Sequence, residues 1–429
     1  MAGMKVRILL RRGAAAAGAA ILLLELAGCT QTLDIRNIVE GRVNPPTAPE
    51  PPEWTGAKTI VSSPAFAATV AVNGDTVYVV YFDYSAQKLR IIKSMDRALT
   101  WSSPFTIDNT AASYGTMGSL TVDSNNLYII YNRGGDSDYF IQLTDTGSSF
   151  AASNGQKLST ISAYPYGYES SIAYDTTNVY LTYSAGGGPA FAYSAKGASM
   201  SFPVSTTNNV LIDLALSYNP GNRKWNSTDV DASGKVNVCY FDDVSAQNGL
   251  KVASFTPGSA LPMTVNPITL PGPTYIAAAN YPSIGYVNGI WQFISYYDTA
   301  SQNLSCFEHF SYTYPPLMIG YKFKTVIVDN SSANTGLYSK CLYIGSKLNI
   351  AYYDATNKRV RFAKGVMNAS THEVDYTTTT VDTVRGTDMN ISFAANGDAL
   401  YVVYPDLTIS GSLTGGLKIA KSLDGGATW

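Results

Sequence analysis

Five aspartates close a recurring segment rich in tyrosine: Asp83, Asp242, Asp298, Asp354 and Asp406, four of them beside Phe82, Phe241, Tyr297 or Tyr353. Aromatic faces pack on sugar C–H groups and carboxylates accept hydroxyl hydrogens, so such a set suits a glycan. An Asp after a strand also caps its own turn, and a residue repeated in every copy serves architecture first. Residues that do not repeat are the better site candidates. Arg133, Arg223 and Arg385 stand where the same end of the repeat would place them, and guanidinium forks match a ligand carboxylate. The loop Tyr164-Pro165-Tyr166-Gly167-Tyr168-Glu169 offers a tyrosine-rich contact surface. Other chemistries find no foothold. His309 and His372 are the only histidines and have no Cys or carboxylate at metal-ligand spacing, so no metal is expected. Gly186-Gly187-Gly188 lacks the Lys of a phosphate loop, and no cofactor is implied.

The elements that must carry these residues are strands. The chain of 429 residues has 36 Gly and 31 Tyr, and its 14% charged content is well below the roughly 25% of ordinary soluble domains. Seven copies of one strand are visible: VYVVYFD (77–83), LYIIYNR (127–133), VYLTYSA (179–185), VNVCYFD (236–242), QFISYYD (292–298), LNIAYYD (348–354) and LYVVYPD (400–406). Their shared Tyr recurs at steps of 50, 52, 57, 56, 56 and 52 residues, the length of a four-stranded sheet with its turns. An alternating stretch with a tight turn such as Asn73-Gly74 precedes the copies, and a third strand such as KLRIIKS (88–94) follows. The expected fold is all-β, a seven-bladed β-propeller of four-stranded antiparallel sheets spanning 54–429.

The turn after the third strand carries a family resemblance. Ser422-Leu423-Asp424-Gly425-Gly426-Ala427-Thr428-Trp429 matches the Asp-box, S-x-D-x-G-x-T-W, at every defined position. Ser94 to Trp101, with Asp96 and Thr100, departs only at Ala98, and Leu143 to Phe150, with Asp145 and Gly147, is a weaker copy. The Asp accepts N–H groups of its own turn, Gly takes the unusual dihedral and Trp packs beneath, so the box is structural. The chain thus resembles the sialidase-like Asp-box (BNR repeat) propellers. That resemblance implies an arginine triad for a substrate carboxylate, for which Arg133, Arg223 and Arg385 stand, and a Tyr nucleophile with a Glu partner, for which Tyr168 and Glu169 stand. The family's Arg-Ile-Pro motif is absent, Arg385 being followed by Gly386-Thr387. The reading therefore favours recognition of a glycan or protein ligand by Tyr164, Tyr166, Tyr168, Glu169 and the five aspartates over catalysis. An exo-sialidase or related glycoside hydrolase and an envelope scaffold are the alternatives.

The chain stops at Trp429 before a fourth strand, while Trp54 to Val61 (WTGAKTIV) echoes Trp101 to Asp108 (WSSPFTID). The N-terminal strand is expected to complete the last blade and close the ring, which removes open edges; a chain cut short is the alternative. Before it, Lys5, Arg7, Arg11 and Arg12 precede an apolar run, and Leu26-Ala27-Gly28-Cys29 resembles the bacterial lipobox. Residues 1–28 are expected to be a lipoprotein signal peptide, Cys29 the lipidated residue, and 29–53 a Pro-rich tether. With no later span, the membrane is reached only through that lipid. Thr30 rather than Asp after Cys29 favours the outer membrane or cell surface over the inner membrane. Cys239, Cys306 and Cys341 fall on different blades as buried free thiols. A net charge of −2 argues against nucleic acid, and a monomer is expected.

Overall fold

The structure is a computed structural model that describes residues 6–9, 21–26, 29–34, 54–109, 118–133, 138–153, 155–158, 170–185, 188–197, 200–202, 209–212, 226–231, 233–242, 249–257, 265–267, 279–287, 291–314, 318–368, 373–386, 390–410 and 412–429. It falls into two units, Met1–Glu53 and Trp54–Trp429. The first holds one three-stranded antiparallel sheet, Val6–Leu9, Ile21–Leu26 and Cys29–Asp34, with Cys29 opposite Leu26 in the hairpin. Residues 35–53, the proline-rich part of the expected tether, lie outside the described residues.

The second unit is a seven-bladed β-propeller, with no helix among its described residues. Each blade is a meander whose first strand lies innermost. Blade 1 is Ala65–Asn73, Thr76–Asp83, Lys88–Ser94 and Phe105–Asp108. The innermost strands of blades 2 to 7 are Ser119–Asp123, Ser171–Tyr174, Asn226–Val230, Ala279–Val287, Thr335–Ile344 and Ser392–Asn396. Consecutive innermost strands are neighbours all the way round, the seventh against the first. The last blade takes its outermost strand from the N-terminal side: Gly56–Val61 pairs antiparallel with Ser412–Ser422, from Gly56↔Lys421 to Leu417↔Val61. The ring is closed by hydrogen bonds, as the echo of Trp54 to Val61 predicts.

Alternation along the strands explains the packing, because each sheet has two apolar faces and each face meets a neighbouring blade. Seven apolar clusters result, one for each seam between blades. The repeat tyrosines, Tyr81, Tyr131, Tyr183, Tyr240, Tyr296, Tyr352 and Tyr404, are all buried. In three seams the phenol reaches back to an Asp at the end of the preceding blade's outermost strand. Tyr131 Oη donates to Asp108 at 2.9 Å, Tyr404 Oη to Asp382 at 2.7 Å, and Tyr352 Oη to Asp329. A cation completes each group: Arg133, Lys418 and Arg361.

A second latch joins blades at the opposite end. Lys93, Lys364 and Lys421, each at or near the end of a third strand, donate to a carbonyl in the next blade's turn, Gly147 O at 2.6 Å, Gly425 O at 2.8 Å and Arg97 O at 3.0 Å. Cys239, Cys306 and Cys341 are buried on blades 4, 5 and 6, with no disulfide among the described residues.

Candidate functional site

The innermost strands surround a channel of about 470 Å3, to which all seven blades contribute side chains. That volume falls in the range of small-ligand sites, roughly 300–1,000 Å3. One position organises its wall. The residue paired with the one before each repeat Tyr is Thr69, Ser119, Ser171, Ser227, Ser283, Lys340 and Ser392 in blades 1 to 7. Four of these hydroxyls accept an N–H from the next innermost strand: Ser392 from Val70 at 2.9 Å, Ser171 from Thr228 at 3.0 Å, Ser227 from Ile284 at 3.2 Å, and Ser283 from Cys341 at 2.9 Å. A small hydroxyl here satisfies an otherwise open strand edge. Lys340 departs from the pattern, because an ammonium only donates.

The channel mouth lies where the innermost strands begin. Two positions before this wall residue, blades 1, 5, 6 and 7 hold a residue in left-handed backbone: Ala67 (φ 51°), Tyr281 (φ 54°), Tyr338 (φ 56°) and Asn390 (φ 53°). In blades 1, 5 and 6 this is a β-bulge, which bends the strand as it enters the channel. For side chains other than Gly and Asn that conformation costs about 1–2 kcal/mol. The rings of Tyr281 and Tyr338 meet at 4.4 Å between centroids. Strain repeated at one rim is the pattern of a site.

Two channel residues have buried polar atoms with no partner among the described residues, Ser170 Oγ in blade 3 and Asn390 Oδ1 in blade 7. Ser170 is 7% exposed and Asn390 3%. Three steps apart in a ring of seven, they stand on opposite sides of the mouth. Leaving such an atom unsatisfied costs about 1–3 kcal/mol, so both call for a donor or acceptor inside the channel. Asp229 and Lys340 supply the charged groups of the wall. Burial pushes the Cys341 thiol up, and the nearby Asp229 carboxylate raises it further, so this channel thiol stays protonated.

The sequence-derived candidates are placed as follows. Asp83 Oδ1 accepts Ala86 N at 3.0 Å, Asp298 Oδ1 accepts Ala300 N at 2.9 Å, and Asp354 Oδ1 accepts Asn357 N at 3.0 Å, so each caps its own turn. Asp406 takes the backbone N–H of Arg385 at 2.7 Å and faces the Arg385 guanidinium at 3.5 Å. Arg133 is held by Asp108 at 3.0 Å and lies 4.7 Å over the Tyr139 ring. Arg133 and Arg385 are thus engaged in separate seams, one in blade 2 and one in blade 7. Asp242 ends its strand, and its side chain, like Tyr164, Tyr166, Tyr168, Glu169, Arg223 and His372, lies outside the described residues. Ser170 follows Glu169 directly in the sequence.

At the other end, two turns share one hydrogen-bond set. Asp96 accepts from Leu99 N (3.1 Å), Thr100 N (2.9 Å), Ser94 Oγ (2.6 Å) and Thr100 Oγ1 (2.6 Å). Asp424 accepts from Ala427 N, Thr428 N, Ser422 Oγ and Thr428 Oγ1 at 2.7–2.9 Å. The turn at Asp145 differs: its carboxylate accepts Gly147 N at 2.8 Å and Tyr78 Oη at 2.9 Å, and takes Lys93 from blade 1. Leu143 in place of the turn Ser removes one donor to the carboxylate, which takes Lys93 and Tyr78 instead.

Sequence reasoning missed the channel residues. A hydroxyl precedes the repeat Tyr by twelve residues in blades 1, 2, 3 and 7 and by thirteen in blades 4 and 5, with Lys340 at twelve in blade 6. That spacing was the available signal.

No protein-family model matches the chain, and no curated protein matches it. Among solved structures, the fold is similar to the phage phi92 endosialidase, at 14% identity over 86% of this chain and 68% of that one with a TM-score of 0.48. It is also similar to a Hadza microbial sialidase, at 8% identity over 95% and 74% with a TM-score of 0.43. A mutant Aleuria aurantia lectin in complex with α-methyl-L-fucoside aligns at 10% identity over 77% and 98% with a TM-score of 0.42. At these identities the likeness is one of chain path.

Proposed function

We propose that the protein is a recognition propeller that holds a polyhydroxylated ligand, a glycan terminus, in the mouth of its channel, displayed from a bacterial envelope by a lipidated Cys29. The supporting observation is the pair of buried atoms Ser170 Oγ and Asn390 Oδ1, without a partner among the described residues, on opposite sides of one cavity. A hydroxyl donates to Asn390 Oδ1 and either donates to or accepts from Ser170, which a sugar does at two corners at once. Water fills these roles in the free protein and a ligand hydroxyl displaces it. Among the described channel residues Asp229 is the single carboxylate, short of the pair most glycoside hydrolases use, and for the sialidase route Arg133 and Arg385 are held by Asp108 and Asp406 in different blades rather than on one ligand carboxylate. Binding is therefore preferred to turnover.

A glycan array followed by calorimetry on the full chain tests this reading. Ser170→Ala and Asn390→Gly, glycine being chosen because position 390 sits at φ 53°, should each weaken binding roughly tenfold, the worth of one buried hydrogen bond, with the Ser170→Ala protein melting no lower than the native one. Release of a fluorogenic sialoside, abolished in Arg133→Ala and Arg385→Ala, would replace the binding reading with a hydrolase. The anchor is tested separately: Cys29→Ser should lose incorporation of radiolabelled fatty acid and move from the membrane fraction to the soluble one.

A further inference from the structure

Blade 5 carries a ribbon that runs well past its own sheet. Its third and outermost strands, Asn303–Tyr314 and Met318–Asp329, are 12 residues each. The second strand stops pairing at Gln292↔His309. The outer two continue alone through Phe310↔Lys322, Ser311↔Tyr321, Tyr312↔Gly320, Thr313↔Ile319 and Tyr314↔Met318. Five pairs at about 3.4 Å rise project about 17 Å from the blade. In blades 1, 3, 4 and 7 the third strand ends level with the second, as at Val77↔Ser94 and Leu400↔Ser422. Blade 6 extends by two pairs, Met367↔Val374 and Asn368↔Glu373.

The ribbon is chemically unlike the rest of the chain. Along its two strands, 309–314 and 318–328, it contains five aromatics, Phe310, Tyr312, Tyr314, Tyr321 and Phe323, the cations Lys322 and Lys324, and no carboxylate. At its base Phe323 is 43% and Ile327 56% exposed. Phe323 stacks on His309 at 4.2 Å, and Lys324 lies 3.2 Å from Glu373, which ties the base to blade 6. A two-stranded ribbon is marginal in water, and its open edges bar it from hydrocarbon. Tyrosine, phenylalanine and lysine together fit the depth between, at lipid headgroups.

Position agrees with composition. The ribbon leaves the propeller at the end where third strands turn into fourth ones. The chain from Cys29 joins the propeller at that same end, because Gly56 pairs with Lys421 at the close of a third strand. Ser170 and Asn390 line the opposite end of the channel. We propose that the blade 5 ribbon rests on the headgroup layer of the membrane that holds Cys29 and so keeps the channel mouth turned away from the lipid; this rests on the lipid anchor proposed above.

The test uses full-length protein purified from membranes and reconstituted in vesicles of phosphatidylcholine and phosphatidylglycerol. A fluorophore is placed at Tyr321→Cys or Thr313→Cys on the ribbon, and at Ser85→Cys on an exposed turn of the other face; Cys239, Cys306 and Cys341 are buried and do not compete, and the sulfur of Cys29 is taken up by the proposed lipid. A nitroxide at headgroup depth should quench both ribbon labels and spare the label at 85, while aqueous iodide should do the reverse. Ribbon labels as open to iodide as the label at 85 overturn the proposal. So do ribbon labels shielded from both quenchers, the mark of a protein strand added to the ribbon edge. Protein that does not partition into vesicles at all overturns the anchor and the ribbon together; partitioning without quenching overturns the ribbon alone.

Discussion

At the scale of single residues, the turns opposite the channel mouth give the plainest energetics. Gly426 sits at φ 84°, and a Cβ there would come within 2.2 Å of the Phe362 ring of blade 6. Gly426→Ala should therefore cost about 2–3 kcal/mol through strain and overpacking, read as a lower melting temperature that Phe362→Leu partly restores. In blade 1 the same position is Ala98 at φ 67°, where the methyl joins the cluster between blades 7 and 1. The neighbour decides whether a side chain is tolerated. Partial burial pushes the Asp424 carboxyl up, but Thr428, Ser422 and Ala427 outweigh it and hold the group down at about 2. Asp96 is lowered by the same kind of donors against the same desolvation. A carboxyl lowered in the folded state stabilises it above the ordinary value of about 3.9 and loses that contribution as pH falls toward 2. The melting temperature should thus fall between about pH 4 and pH 2, and Asp424→Asn should flatten part of that fall.

At the scale of strands and sheets, closure depends on close backbone approach. A Cβ on Gly416 would lie 2.0 Å from Val61 O, so Gly416→Ala pushes the closing strand off the sheet it completes. A chain lacking residues 54–61 should show the same defect more strongly: a lower melting temperature and new proteolytic cuts in blade 7. An unchanged melt would mean the strand adds nothing to the ring. The seams offer a second test. Burial pushes the Tyr131 hydroxyl up and Asp108 adds to it, so the phenol stays a donor at every accessible pH. Tyr131→Phe should cost about 1–2 kcal/mol, since Asp108 keeps Arg133 but loses one bond.

At the scale of the whole molecule, the channel wall sets stability against binding. Lys340→Ser would install a seventh hydroxyl, able to accept from the next innermost strand as Ser283 does from Cys341. The variant should melt at a higher temperature and bind ligand less well, the trade expected where a structural position has been given to a site. Much of this design was legible in the sequence, because the repeat Tyr marks one strand per blade and the two Ser-x-Asp turns mark third strands. The echo at Trp54 to Val61 revealed how the wheel is fastened. The channel was not legible: Ser170 and Asn390 belong to different repeats and meet only when blades 3 and 7 face one another. Bulges at Ala67, Tyr281 and Tyr338 also disguise the innermost strands by breaking their alternation. The blade 5 ribbon escaped notice because its aromatics continue the strand pattern without a break. The pairing of Val61 with Leu417 has a consequence during biosynthesis. A nascent polypeptide holds an unfinished seventh sheet until residue 417 has left the ribosome, so the ring cannot lock while most of it is still being made.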